Sequence, residues 1–227
     1  MPSPTPPQRL VCATCLRPQR TCICQWIRPT AHAVEVLVLQ HPLEVNQAKG
    51  SARLLHLSLP HSRLVTGEVF AEQTLQDLLT APLASRPGAH RPKQLLLLYP
   101  DTPQDRAPAS ATAPSWLAGD VCELTQLRLI VLDGTWRKSR KMLHLNPALQ
   151  RLPRLALLDV AASHYVIRKA QRPDQLSTLE ATCLALMQLE GCTQKFQPLL
   201  TAFDGFVAQQ LGYRPTTGRT CQNPPFI

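Results

Sequence analysis

Apolar runs alternate along this chain with segments whose apolar residues recur at helical spacing. Four apolar runs and one shorter run are typical of buried strands, at 33–41, 63–65, 94–99, 127–132 and 154–158. Helical spacing marks 46–57, 71–79, 137–145, 176–189 and 193–211. This alternation predicts an α/β fold, with a mostly parallel sheet covered by helices on both faces.

Three of the predicted strands end in polar or proline-marked turns. These turns are His41-Pro42-Leu43-Glu44, Tyr99-Pro100-Asp101 and Asp133-Gly134-Thr135-Trp136. The carboxyl ends of parallel strands lie along one edge of a sheet, where open α/β folds bind their ligands. We therefore expect a ligand crevice at this edge.

The turn that begins at Asp133 carries the most chemistry. Asp133 follows an apolar strand, so burial should raise its pKa and suit it to act as a base or to bind a cation. Gly134 permits close backbone approach, Thr135 suits a helix cap, and Trp136 suits stacking on a planar base. The alternative is a capping Asp or Thr beside a core Trp, and an isolated D-x-T-W would favour that alternative.

A second candidate lies at the start of the helix predicted over 176–189. Ser177 and Glu180 have the spacing of a capping box, in which each side chain binds the other residue's backbone amide. The same helix N-terminus could instead bind an anionic group, such as the carboxylate of an amino-acid-like ligand. Spacing alone leaves both interpretations open.

Positive charge is concentrated in one part of the chain. The 227 residues carry a formal net charge of +9, and segment 137–172 contributes nine Lys or Arg against one acid. Such a concentration indicates a polyanionic partner, with nucleic acid favoured over a merely solvated basic face. The cationic side chains expected to bind this nucleic acid are Arg137, Lys138, Arg140, Lys141, Arg168 and Lys169.

Four of the eight cysteines lie close together near the N-terminus, as Cys12-x-x-Cys15 and Cys22-x-Cys24. No run is apolar enough for a membrane span and residues 1–8 lack the apolar core of a secretory signal, so we expect a cytoplasmic protein in which disulfides are rare. The cluster therefore predicts a structural zinc site with no open position. A redox-active C-x-x-C and unligated thiols are the alternatives. The predicted organisation is a proline-rich leader and zinc knuckle over 1–30 and one α/β domain over 31–227.

Several common nucleotide-binding and hydrolase signatures are absent. The chain has only nine glycines and contains no G-x-G-x-x-G, no P-loop and no G-x-S-x-G. A Rossmann-type dinucleotide enzyme and an ATPase are therefore disfavoured.

Taken together, the motifs resemble those of the DTW-domain family, the tRNA-uridine aminocarboxypropyltransferases. The matching positions are Cys12-x-x-Cys15, Cys22-x-Cys24, His41-Pro42-x-Glu44, Leu98-Tyr99-Pro100, Asp133-x-Thr135-Trp136, Tyr165 with Arg168, and Ser177-Thr178-x-Glu180-Ala181. The resemblance implies a SPOUT-related fold with a knotted C-terminal half and S-adenosylmethionine as the cofactor. It further implies transfer of the 3-amino-3-carboxypropyl group to N3 of a uridine in tRNA, with release of methylthioadenosine.

The resemblance also assigns residues to the expected site. The catalytic set is Asp133, Thr135 and Trp136. The cofactor-binding set is Leu98, Tyr99, Pro100, Asp133, Gly134, Tyr165, Ser177, Thr178 and Glu180. A SPOUT-type RNA methyltransferase and a non-catalytic zinc-containing RNA-binding factor are the alternative functions. A tRNA is the expected partner, and neither a membrane nor an obligate protein partner is inferred.

Overall fold

A five-stranded, fully parallel sheet forms the centre of the protein, in the order β2-β1-β4-β3-β5. The computed structural model describes residues 10–82, 92, 94–100, 123–157 and 176–213. The strands are β1 (Glu35–Gln40), β2 (Ser62–Thr66), β3 (Gln94–Leu98), β4 (Leu127–Asp133) and β5 (Arg154–Leu155). The helices are α1 (Ala52–Ser58), α2 (Glu72–Thr80), α3 (Trp136–Leu145), α4 (Pro147–Gln150), α5 (Thr178–Glu190) and α6 (Gln197–Gly212).

The parallel sheet confirms the α/β prediction, and helices cover both of its faces. On one face α1, α5, α6 and the cysteine knuckle enclose alternate side chains of the sheet, such as Val36 and Val38. On the other face α2, α3 and α4 pack over Leu37 and Leu39. All six side chains of β1 are buried, as expected for a central parallel strand. The SPOUT-like knot stays a prediction, because the described residues do not show it.

The connections after β1 and β4 leave the sheet in opposite directions. From β1 the chain passes through α1 to β2 on one side, whereas from β4 it passes through α3 and α4 to β5 on the other. Because β1 and β4 are neighbours, a topological switch point lies between their carboxyl ends, which is where open α/β sheets hold ligands. The strand register places Gln40 directly beside Asp133 at this point.

The first helix is shorter than its sequence pattern indicates. The prediction of a helix over 46–57 is wrong for its first six residues, because α1 begins only at Ala52. Gly50 lowers helix propensity, and the preceding 3₁₀ turn at Pro42–Glu44 sends the chain in another direction. The guanidinium of Arg17 donates to the carbonyls of Ala48 (2.7 Å) and Gly50 (3.0 Å), so this segment has tertiary partners instead of helical ones.

The cysteine knuckle packs directly on the C-terminal helix. The indole of Trp26 lies over Gly205, where a Cβ atom would come within 2.1 Å of the ring. Its Nε1 donates to the amide oxygen of Gln209 at 2.5 Å, and the hydroxyl of Tyr213 donates to the carbonyl of Arg20 at 2.7 Å. Hydrogen bonds and close aromatic packing thus join the knuckle to α6.

A buried ion pair joins β1 and β4 at the opposite end of the strands, where both strands begin. Arg128, fully buried in β4, donates to Glu35 from Nε (3.0 Å) and from one terminal nitrogen (2.6 Å). It also donates to the carbonyls of Leu78 and Leu79 in the last turn of α2 and of Ala81 just after it. This pairing explains how the predicted apolar strand accommodates an arginine.

Among the described helices, none has both the length and the apolar character needed to cross a bilayer.

Candidate active site

The carboxylate of Asp133 lies at the switch point, buried and held from two sides. Asp133 ends β4, and only 5% of its surface is exposed. Gln40 donates from Nε2 to one carboxylate oxygen at 2.8 Å, and Thr178 donates from its hydroxyl to the other at 2.6 Å. The backbone carbonyl of Asp133 accepts from the amide of His41 at 2.9 Å. The end of β1 and the start of α5 thus orient the acid together.

Burial raises the pKa of Asp133 above the usual value for an aspartate. The hydrogen bonds from Thr178 and Gln40 lower it in part, since they favour the ionised form. Desolvation is the larger effect, so the pKa stays raised. A carboxylate in such surroundings is more basic than one in water, and it suits both proton abstraction and the binding of a cation.

Gly134 and Thr135 connect Asp133 to the first residue of helix α3. A Cβ on Gly134 would lie 3.1 Å from the Cβ of Lys138, so the first turn of α3 would have to shift by a few tenths of an ångström to admit a side chain here, and it would lie in ordinary contact with His41 at 3.7 Å. Thr135 occupies the N-cap position of α3, but its hydroxyl makes no capping hydrogen bond. The predicted hydroxyl cap is therefore wrong; the backbone carbonyl of Thr135 accepts from Ser139 at 2.8 Å and the side chain faces solvent.

Trp136 lies on the surface next to a buried tyrosine. Half of its surface is exposed, which excludes the alternative of a core tryptophan. The rings of Trp136 and Tyr99 pack edge to face, with their centroids 5.7 Å apart and their planes at 78° to each other. The guanidinium carbon of Arg154 lies 5.3 Å from the centroid of the Tyr99 ring. The exposed part of the indole is therefore available for stacking on a base.

The start of α5 shows the predicted capping box. Ser177 accepts from the amide of Glu180 at 3.2 Å, and Glu180 accepts from the amide of Ser177 at 2.9 Å. The amide of Leu179 donates to the hydroxyl of Ser51 at 3.2 Å. These groups fix the N-terminus of α5 and direct Thr178 at Asp133. Ligand binding by Ser177, Thr178 and Glu180 stays a prediction.

Two of the predicted RNA-binding lysines have acidic partners. Lys138 pairs with Glu44 at 2.7 Å, and Lys141 pairs with Glu68 at 2.9 Å. His41 also donates from Nε2 to Glu68 at 2.9 Å, and its Nδ1 accepts from the amide of Leu43. The hydrogen bonds from Lys141 and His41 lower the pKa of Glu68. The H-P-x-E turn therefore joins the loops after β1 and β2 to α3.

The remaining predicted residues divide into those the structure describes and those it does not. The side chains of Arg137 and Arg140 are exposed on α3. Leu98 is half-buried against the core, and the carbonyl of Pro100 accepts from Arg154 at 3.1 Å. Tyr165, Arg168 and Lys169 lie outside the described residues.

Sequence reasoning missed Gln40. The available signal was a polar side chain at the last position of a wholly buried strand, because a buried amide needs a hydrogen-bond partner. Its partner, Asp133, is ninety-three residues away and became evident only through the strand order.

The four clustered cysteines have the arrangement that a tetrahedral zinc ion requires. The four sulfur atoms all lie within 4.8 Å of one another, with 3.6 Å between Cys12 and Cys24 and 3.7 Å between Cys15 and Cys22. Zinc–thiolate bonds of about 2.3 Å in a tetrahedron separate the sulfurs by about 3.8 Å, so the cluster fits. Backbone amides of Cys15 and Thr14 lower the pKa of Cys12 to about 6, which favours the thiolate form that metals bind, whereas burial raises the pKa of Cys24 to about 12. The fit to zinc therefore rests on the positions of the sulfur atoms.

Fold and site together define an α/β protein with a buried acid at the ligand-binding edge of its sheet and a four-cysteine knuckle. A family model for the DTW domain matches residues 9–211, and the chain belongs to that family. Its relatives include proteins called tRNA-uridine aminocarboxypropyltransferase 2, which are transferases.

These relatives are identical to the chain at about 30% of the aligned residues. The protein of Drosophila melanogaster is 32% identical over 81% of this chain and 68% of its own length. The Mus musculus protein is 31% identical over 83% and 60%, and the Macaca fascicularis protein is 28% identical over 90% and 64%. The chain thus spans about two thirds of the length of these relatives. No solved structure matches it.

Proposed function

We propose that this protein transfers the 3-amino-3-carboxypropyl group of S-adenosylmethionine to N3 of a uridine in tRNA, with release of methylthioadenosine. One observation carries the proposal: a buried carboxylate of raised pKa, Asp133, stands at the switch point of the sheet, within the part of the chain that the DTW family model matches. The names of the relatives, which are tRNA-uridine aminocarboxypropyltransferases, support the same reaction.

Asp133 is the proposed base. S-adenosylmethionine would supply an activated carbon whose sulfonium leaves as a neutral thioether, so the reaction needs no general acid. Uridine N3 carries a proton at neutral pH, and that proton must leave before or during attack. Each oxygen of Asp133 already accepts one hydrogen bond in the described structure and keeps a lone pair for this proton.

A second role would also require the carboxylate. Asp133 could bind the ammonium group of the transferred chain and thereby orient the chain without moving a proton. The two roles predict different defects in Asp133→Asn. Loss of a base lowers turnover with little change in cofactor affinity, and raising the pH restores part of the turnover as uridine N3 loses its proton in solution. Loss of an ammonium ligand lowers cofactor affinity and gives no such recovery.

The neighbouring aromatic pair suits recognition of the uridine and cofactor. N3 is hidden in a base pair, so the target uridine must be unpaired or unstacked, and the exposed indole of Trp136 offers a stacking surface for it. The proposed cofactor surface comprises Leu98, Tyr99, Pro100, Gly134, Tyr165 and the start of α5.

Helix α3 is the proposed contact for the tRNA backbone. It begins next to Asp133 and carries four cationic side chains in its first six residues. Glu44 pairs with Lys138 and Glu68 with Lys141, so Arg137, whose side chain is exposed, should contribute more of the binding than either lysine. Arg168 and Lys169, which lie outside the described residues, are proposed from the sequence to bind the same RNA. The zinc ion would be held by the four cysteines and would stabilise the knuckle without taking part in the reaction.

Incubation of the zinc-loaded protein with S-adenosylmethionine and unmodified tRNA tests the proposal. Mass spectrometry of the digested nucleosides should reveal a uridine heavier by the aminocarboxypropyl group, together with methylthioadenosine. A methylated nucleoside with S-adenosylhomocysteine would instead identify an RNA methyltransferase. No product and no cofactor affinity, with tRNA binding retained, would identify a non-catalytic RNA-binding factor.

A further inference from the structure

Gln40 is a buried polar side chain at the end of an otherwise largely apolar strand. Only 5% of its surface is exposed, and the four residues before it are Val36, Leu37, Val38 and Leu39. Burying an amide is costly unless it forms a hydrogen bond. The Nε2 group of Gln40 forms such a bond, at 2.8 Å, to one oxygen of Asp133.

The second oxygen of Asp133 has a donor from a different element. The hydroxyl of Thr178 lies 2.6 Å from it, in the first residue of α5. The capping box of Ser177 and Glu180, and the bond from the amide of Leu179 to Ser51, fix this end of the helix. Two independently anchored donors therefore determine the orientation of the carboxylate.

We propose that Gln40 is a positioning residue for the proposed base, holding one oxygen of Asp133 while Thr178 holds the other. This inference rests on the proposed function, because it concerns the same site. The two donors favour the ionised carboxylate and so oppose the effect of burial. Of the charged groups that face the acid, Glu44 raises the pKa of Asp133 and Lys138 lowers it, and both stay in place when Gln40 is replaced. Without Gln40 the acid would therefore stay protonated to a higher pH, and only Thr178 would orient it.

Three substitutions separate this role from ordinary support of the fold. Gln40→Met removes the donor at nearly constant length. Gln40→Glu keeps the shape but sets two carboxyl groups at hydrogen-bond distance, so the pair must share a proton. Thr178→Val removes the other donor. The matched control is Gln73→Met, since Gln73 donates to Asp77 at 2.9 Å on the exposed surface of α2.

The titration of Asp133 can be measured without the reaction. The zinc-loaded full chain is labelled with carboxyl-¹³C aspartate, and Asp133→Asn identifies the Asp133 resonance by its absence. We expect the titration midpoint to rise by about one pH unit in Gln40→Met and further in Gln40→Glu. Thr178→Val should raise it as well, and Gln73→Met should leave it unchanged. An unchanged midpoint in Gln40→Met would overturn the inference, and if that variant does not fold, an unchanged midpoint in Gln40→Glu would overturn it instead.

Kinetics complete the test and keep the two proposals distinguishable. In an active enzyme, Gln40→Met should lower kcat about tenfold or more and change KM for tRNA little. It should also shift the acidic limb of the pH–rate profile to higher pH. A raised midpoint with unchanged kcat and pH profile would overturn the positioning role. A raised midpoint in a wild-type protein that transfers no aminocarboxypropyl group would refute the proposed function while confirming that Gln40 controls the acid.

Discussion

His32 should make the protein sensitive to acid. It is buried between the starts of β1 and β2, where its Nδ1 donates to the carbonyl of Val34 at 2.6 Å and its Nε2 accepts from the amide of His61 at 3.1 Å. Both ring nitrogens are thus used by the neutral form. A second proton on Nε2 would break the bond with His61 and charge a desolvated ring.

The pKa values determine the size and sign of the effect. Burial, opposed by the bond with Val34, lowers the pKa of His32 to about 4. His61 and Lys195 also lower it, and Glu190 raises it. In the unfolded chain the pKa is about 6.5, so between these values the unfolded state binds the proton and the folded state does not. Stability should therefore be complete above about pH 6.5 and should fall by about 3 kcal/mol as the pH drops to about 4.

Urea unfolding of the wild-type protein and His32→Gln at about pH 7 and about pH 4.5 measures this effect. Glutamine keeps a donor and an acceptor but does not titrate, so the variant should be less stable near neutrality and lose less stability in acid. The difference in unfolding free energy between the two proteins should shrink by about 2–3 kcal/mol between the two pH values. Using this difference cancels acid release of zinc, which affects both proteins. If it stays constant to within about 0.5 kcal/mol, protonation of His32 does not limit stability in acid.

Three further perturbations test the knuckle and the RNA surface. Elemental analysis should find about one zinc per chain, and a fully stable metal-free protein with four titratable thiols would exclude the site. Gly205→Val should lower the free energy of unfolding by about 1–3 kcal/mol, because the new side chain displaces Trp26. Gly212→Ala should leave the free energy of unfolding nearly unchanged, because its Cβ would meet nothing within 4 Å. Equal effects of the two substitutions would contradict the packing of Trp26 on Gly205. Replacing Arg137 with Ala should weaken tRNA binding and flatten its log–log salt dependence by roughly 0.7–0.9, more than replacing either of the ion-paired lysines of α3. Unchanged affinity would place the RNA elsewhere.

Much of the fold could be predicted because its strands are buried on both faces. The runs at 33–41 and 127–132 are mostly apolar, and each contains one charged side chain and no turn-forming residue. They correspond to β1 and β4. Local pattern was misleading where tertiary contacts decide the backbone, as in the segment before α1 whose carbonyls bind Arg17. Helical spacing does not register such contacts.

The candidate site was predictable only in part, for a topological reason. Asp133 stands out because an acid directly follows a buried strand and precedes a helix. Its partners come from β1 and α5, and their proximity depends on the order of strands in the sheet. Sequence spacing could not show that Gln40 lies beside Asp133, nor that acidic residues pair with Lys138 and Lys141.

The most direct measurement compares wild-type protein with Asp133→Asn in the tRNA reaction, with nucleoside mass spectrometry as the readout. Asparagine fits the same bonds, since its oxygen can accept from Gln40 and its amide can donate to the Thr178 hydroxyl, which both donates and accepts. The variant should therefore fold, bind zinc and bind tRNA as the wild-type protein does. We predict methylthioadenosine and aminocarboxypropyl-uridine from the wild-type protein and a loss of at least about 100-fold in the variant. Near-normal turnover by Asp133→Asn would contradict the central role assigned to this carboxylate.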